Sequence, residues 1–216
     1  MALVLYKPPE FLEPFHKQER RFVFTGKEIL INQDWEKLGV AAVVWDTAIV
    51  LSEYLERKVD AGELKLNAKR LLELGAGTGL AGMVAALLGA KATLTDRSEV
   101  IGSLIKNVTI NFKDDQSNIV VKELEWGRNL DSFSETYDFI IGADIIYIKE
   151  SFAVLLKTLT QLTHINTKVL LSCRIRYQKD LDFLEMLKDT FLVNEVYFDE
   201  AKGVHIYQAT RLSVNT

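Results

Sequence analysis

The stretch Leu71–Asp96, LLELGAGTGLAGMVAALLGAKATLTD, constrains the fold more than any other part of the chain. A strand-length apolar run ends in a glycine-rich turn, a helical pattern follows and closes at Gly89, and a second strand-like run ends in an acid. Two strands joined by a crossover of this length lie parallel in one sheet. The alternation continues downstream. It predicts strands over 70–75, 91–95, 119–125, 137–143 and 168–174, and helices over 79–88, 98–110, 150–162 and 180–190. The helix from Ser98 is expected to bury Val100, Ile101, Leu104, Ile105 and Val108 on one face. Two last strands, 193–198 and 204–210, are joined by the short link DEAKG, so they form a hairpin that brings one antiparallel strand into the sheet. The expected class is α/β, a doubly wound, mostly parallel, Rossmann-like sheet of seven strands with helices on both faces.

Upstream, residues 21–32 (RFVFTGKEILIN) alternate around Thr25-Gly26-Lys27 and predict an N-terminal hairpin, read as a decoration. Residues 39–57 have helical apolar spacing, and 58–69 reads as a polar connector. No compositional break divides the chain. The expectation is one domain over 1–216, with 1–38 a hairpin extension and 39–216 the core.

Charge and rare residues narrow the function classes. A net charge of -4 and a pI of about 5.5 argue against a broad basic face for nucleic acid. The single cysteine, Cys173, has no internal disulfide partner and reads as a small buried hydrophobe in a reducing compartment. His16, His164 and His205 are scattered without metal-ligand spacing, so no metal is expected. The opening MALVLYKPPEF has no basic leader pattern, and no long apolar run occurs, which gives the expectation of a cytoplasmic protein without a membrane span.

In a sheet of this kind a ligand sits beyond the carboxyl ends of the strands, where strand order reverses. The turn ELGAGTGL therefore lies where a ligand is held. Gly75, Gly77 and Gly79 are followed by Leu80 where a dinucleotide fingerprint wants a third glycine or alanine, and no Lys-Ser/Thr pair follows for a nucleoside triphosphate. Two acids flank the turn. Glu73 opposes a pyrophosphate, and Asp96 stands near the spacing at which an acid takes a ribose diol. A ligand with a ribose, an ammonium and a second positive centre fits, and S-adenosyl-L-methionine has all three. From the residues alone Glu73 could equally be a surface acid, and Asp96 a helix cap.

LLELGAGTGL and LTD resemble the first two motifs of the seven-β-strand (class I) methyltransferases. Together with LGVAAVVWDTAIVL (38–51), KELEWG (122–127), GADIIY (142–147) and CRIRY (173–177), they resemble the protein-lysine methyltransferases that modify chaperones and translation factors. The nearest branch acts on heat-shock chaperones of the seventy-kilodalton class. The resemblance implies S-adenosyl-L-methionine as cofactor, a folded protein substrate, and a set of roles: Trp45 contacts the cofactor from the helix before the sheet. Gly75, Ala76 and Gly77 run beside its methionine part, with Glu73 near the ammonium; Asp96 holds the ribose, Trp126 lies against the adenine and Ala143 gives backbone contact. Asp144 and Tyr147, of a D-x-x-Y motif, face the methyl and its acceptor.

Bland roles stay open for four of these: core packing for Trp45, a sheet-edge plug for Trp126, a helix cap for Asp144 and packing beneath that helix for Tyr147. Arg174 and Arg176 read as a solvated strand end, or as a contact for an acidic partner. The chain is expected to act as a monomer on a heat-shock chaperone. The alternatives are methylation of another protein or a small molecule, or a non-catalytic chaperone partner that binds adenosylmethionine.

Overall fold

The computed structural model describes residues 13–113 and 118–212. The opening segment read for a leader, and the last four residues, lie outside the described residues. After a short helix α1 (Glu13–His16), β1 (Glu19–Phe24) and β2 (Lys27–Asn32) form the N-terminal hairpin, followed by the single turn α2 (Trp35–Leu38). The core then runs α3 (Asp46–Asp60), β3 (Arg70–Leu74), α4 (Leu80–Leu87), β4 (Lys91–Asp96), α5 (Ser98–Asn111), β5 (Ile119–Glu123) and β6 (Phe139–Ala143). It ends with α6 (Phe152–Leu162), β7 (Lys168–Cys173), α7 (Gln178–Lys188), β8 (Phe191–Asp199) and β9 (Val204–Arg211).

The seven-stranded sheet has the order β5-β4-β3-β6-β7-β9-β8. All pairings are parallel except those of β9, which is antiparallel to both β7 and β8. Strand order reverses between β3 and β6, so the crevice for a ligand opens at the ends of these two neighbours. Alternation along β3 sorts its side chains onto two apolar layers. Leu71 joins the core formed with α3, α4, α5 and the hairpin, whereas Leu72 and Leu74 join the one formed with α6 and α7. Glu73 shares the face of Leu71, which explains why it is only 2% exposed.

Two expectations need correction. The helix expected over 39–57 is broken: Gly39–Ala42 is a 3-10 turn, Val43 and Trp45 are extended, and α3 starts at Asp46. Hydrogen bonds from the hairpin side outcompete the helix here. Gln33 Oε1 accepts the Val44 amide at 2.8 Å, and Arg20 donates to the Val44 carbonyl at 2.9 Å. On α5, Val100, Leu104 and Val108 are buried as expected, but Ile105 is exposed and Asn107 is fully buried in its stead. Among the described residues no single helix is long and apolar enough to cross a membrane.

Candidate active site

A cleft of about 370 Å³ lies at the switch point. Its lining includes Trp45, Glu73, Gly75, Ala76, Gly77, Asp96, Trp126, Ala143, Asp144 and Tyr147, so every residue to which the resemblance gave a role reaches one place. A larger hollow of about 530 Å³ between the hairpin and α5 shares no residue with it, and its lining carries three lysines and three acids.

Glycine is required at the turn. Gly75 and Gly77 have φ of 61° and 54°, in the left-handed region that side chains avoid. A Cβ on Gly75 would sit 2.9 Å from Ile145 Cγ2, and one on Gly77 2.9 Å from the Ala41 carbonyl oxygen. The strand pairing also carries on into the turn, where the Ala76 amide donates to the Thr95 carbonyl at 2.9 Å.

Both acids are turned inward. Glu73 Oε2 accepts the Gly82 amide at 3.0 Å, satisfying one of the free donors at the start of α4 from a neighbouring strand. Burial pushes its pKa up to about 8; the Gly82 amide works against that rise, and Asp96 adds to it. Asp96 accepts the Gly77 amide on one oxygen and the Arg97 amide on the other, both at 2.8 Å. Its pKa is also raised by burial, which these two amides oppose.

Across the cleft, Asp144 follows β6 directly. Its φ of 55° is left-handed, and its amide is held by the Ser172 carbonyl at 2.8 Å. Burial raises the carboxyl pKa, with Arg176 and then Arg174 pulling it back. Asp144 caps no helix, because α6 begins only at Phe152. Tyr147 is 45% exposed, so it does not pack beneath one either. Arg174 is not a solvated end: it pairs with Asp46 and donates to the Lys202 carbonyl at 2.8 Å. Arg176 lines the cleft beside Asp144. Trp45 stands in extended backbone just ahead of α3 rather than within a helix; its indole N–H donates to the Val40 carbonyl at 2.9 Å, and its ring packs on Phe15 at 4.9 Å.

A model of the family described as lysine methyltransferase matches residues 23–190. The chain belongs to the lysine methyltransferase family. Protein N-lysine methyltransferase METTL21A of Mus musculus is 50% identical over 215 residues, covering 98% of this chain and 97% of that protein. EEF1A lysine methyltransferase 3 of Xenopus tropicalis is 34% identical over 199 residues, covering 91% and 87%. In fold, the magnesium protoporphyrin IX methyltransferase of Synechocystis PCC 6803, solved with bound SAM, superposes with a TM-score of 0.61 at 15% identity, covering 82% of this chain and 83% of that one. This lysine methyltransferase is thus an S-adenosylmethionine-dependent enzyme on a Rossmann-like seven-stranded sheet.

The donor set of the cleft fits that cofactor. The amides that would cradle a phosphate are taken by carboxylates, Gly82 by Glu73 and Gly77 by Asp96. Asp96 suits a ribose, and Glu73, held protonated by burial, is a group that a positively charged ligand beside it would ionise. Apolar Leu124, Trp126 and Ile145 line the remainder. The sequence reading missed Ala41 and Ile145, and it put Arg176 at a solvated strand end or an acidic partner's contact rather than in the cleft. Ile145 could have been found from the apolar pair inside GADIIY, but nothing local marks Ala41.

Proposed function

We propose that this methyltransferase acts as a cytoplasmic monomer, free of membrane and nucleic acid, on a lysine of a heat-shock chaperone of the seventy-kilodalton class. The observation that carries the acceptor assignment is the pairing of a partly buried Asp144 with an exposed Tyr147 at the mouth of the cleft, on the wall opposite Glu73 and Asp96. The motif resemblance supports the chaperone as the substrate.

The chemistry the bound cofactor supplies is an electrophilic methyl carried on a sulfonium. Trp45, Gly75, Ala76, Gly77 and Ala143 would line its course, with Glu73 toward the ammonium, Asp96 toward the ribose and Trp126 toward the adenine. A lysine must arrive neutral, and with a reference pKa near 10.4 that costs about 4.6 kcal/mol at pH 7. Asp144 would orient the amine rather than take its proton, since an attracting carboxylate also favours the charged form. Tyr147 would line the slot for the lysine stem.

The test is transfer of labelled methyl into purified seventy-kilodalton chaperone and, in parallel, into elongation factor 1A, named in the 34% identical relative. Label on a chaperone lysine is the expected result. Label on the factor alone would replace the chaperone, and label in neither protein but in RNA or small metabolites would end the reading. Light scattering during gel filtration should give one chain per particle.

A further inference from the structure

The N-terminal hairpin was expected to be a decoration, yet its last residue, Asn32, and the Gln33 that follows it tie into two segments that line the cofactor cleft, the glycine turn and Val40–Trp45. On α5, Asn107 and Asn111 lie one turn apart and face the outer edge of β2. Asn111 accepts the Leu30 amide at 2.8 Å and donates to the Leu30 carbonyl at 2.8 Å. Asn107 accepts the Asn32 amide at 2.9 Å and donates to the Asn32 carbonyl at 3.2 Å. Four residues of helix rise about 6 Å and two residues of strand about 6.8 Å, so two side-chain amides on a helix can replace a third strand along that edge.

Asn107 does one thing more. Fully buried, it also donates to the carbonyl of Thr78 at 3.1 Å, in the glycine turn that lines the cleft. The next hairpin residue, Gln33, accepts the Val44 amide at 2.8 Å while donating to the Pro14 and Lys17 carbonyls at 2.7 and 2.8 Å. It thereby holds the Val40–Trp45 segment, which lines the cleft beside the glycine turn. The two segments meet where the Ala41 carbonyl fills the space a Cβ on Gly77 would need. Hydrogen bonds thus join the hairpin to the turn and Gln33 to the Val40–Trp45 segment, and close packing of Ala41 on Gly77 joins the turn to that segment.

We propose that Asn107 is a positioning residue for the cofactor, through which the N-terminal hairpin sets the glycine turn at Thr78. Asn111 is the natural control, since it ties the same hairpin without touching the turn. Calorimetric titration with S-adenosylhomocysteine should show Asn107→Ala binding about tenfold more weakly and Asn111→Ala within about twofold of the parent. At saturating cofactor the Asn107→Ala enzyme should keep its kcat within about twofold while its KM for adenosylmethionine rises, because the acceptor wall is untouched. Equal weakening in both variants, or none in Asn107→Ala, would overturn the proposal.

Hydrogen exchange on the unaltered protein gives a second readout that does not depend on a variant folding. Adenosylhomocysteine should slow exchange of the Asn32 amide, bound to Asn107, more than that of the Leu30 amide, bound to Asn111. Equal slowing, or none at Asn32, counts against the coupling.

Discussion

The two walls of the cleft are built on opposite terms. Around the glycine turn every carboxylate is already engaged: Glu73 with the Gly82 amide, Asp96 with those of Gly77 and Arg97. On the other wall the Asp144 carboxylate has no hydrogen-bond donor among the described residues and meets only the longer-range charge of Arg176 and Arg174. Its neighbours Tyr147 and Ile148 are 45% and 42% exposed. A wall whose polar groups satisfy one another holds one shape before anything binds. A wall with a free carboxylate and open aromatic surface is completed by what docks on it.

The largest expected effect breaks the open wall. Asp144→Asn should lower turnover about 100-fold, as loss of an orienting charge at a reacting amine does, with adenosylhomocysteine affinity within about twofold. Labelled methyl transfer beside calorimetry checks both halves; full turnover would remove Asp144 from the chemistry. The closed wall breaks through packing instead. Gly82 is the third residue of α4, where alanine ordinarily stabilises a helix by up to about 1 kcal/mol. Here a Cβ would lie 2.3 Å from Glu73 Oε2 and 2.5 Å from Leu94 Cγ. Gly82→Ala should therefore destabilise by about 2 kcal/mol, and a rise in melting temperature would refute the tight seat given to Glu73.

The third effect is spread over several pH units, none worth more than about 1.4 kcal/mol. With its folded pKa raised to about 8 from an ordinary 4.5, Glu73 keeps a proton that the unfolded chain has released. Its contribution to stability is thus lost as pH climbs from about 5 to about 8. Glu73→Gln keeps an acceptor for Gly82 and removes the titration. Denaturant midpoints at pH 5 and pH 8 should lie closer together in the variant; an unchanged gap would mean that Glu73 is ionised throughout.

The closed wall was also the legible one. Glu73 stands between Leu72 and Leu74 in an inner strand covered on both faces, so its burial follows from the doubly wound class read in the sequence, although the sequence left a surface role open. Asp96 and the glycines fall at spacings that the β-α-β geometry imposes. What escaped the sequence depends on distant partners. The break at Val43–Trp45 needs Gln33 and Arg20, the burial of Asn107 needs the backbone edge of β2, and the place of Arg176 needs the path of the loop after β7. Local apolar periodicity cannot register any of these, because each is a polar contact between segments far apart in the chain.

The smallest effect sharpens the comparison at its most exposed point. Tyr147 is nearly half exposed, and its carbonyl, rather than its ring, is anchored, by Lys179. Removing the ring should cost the fold little, since nearly half of the residue faces solvent. A cation over an aromatic face at such a site is worth about 0.5–1 kcal/mol, so Tyr147→Leu should raise the KM for the protein substrate about two- to fivefold. Tyr147→Phe keeps the face and should stay near the parent value. If Phe and Leu are equally impaired, the hydroxyl matters and not the ring. If neither differs from the parent, the open wall acts through Asp144 alone.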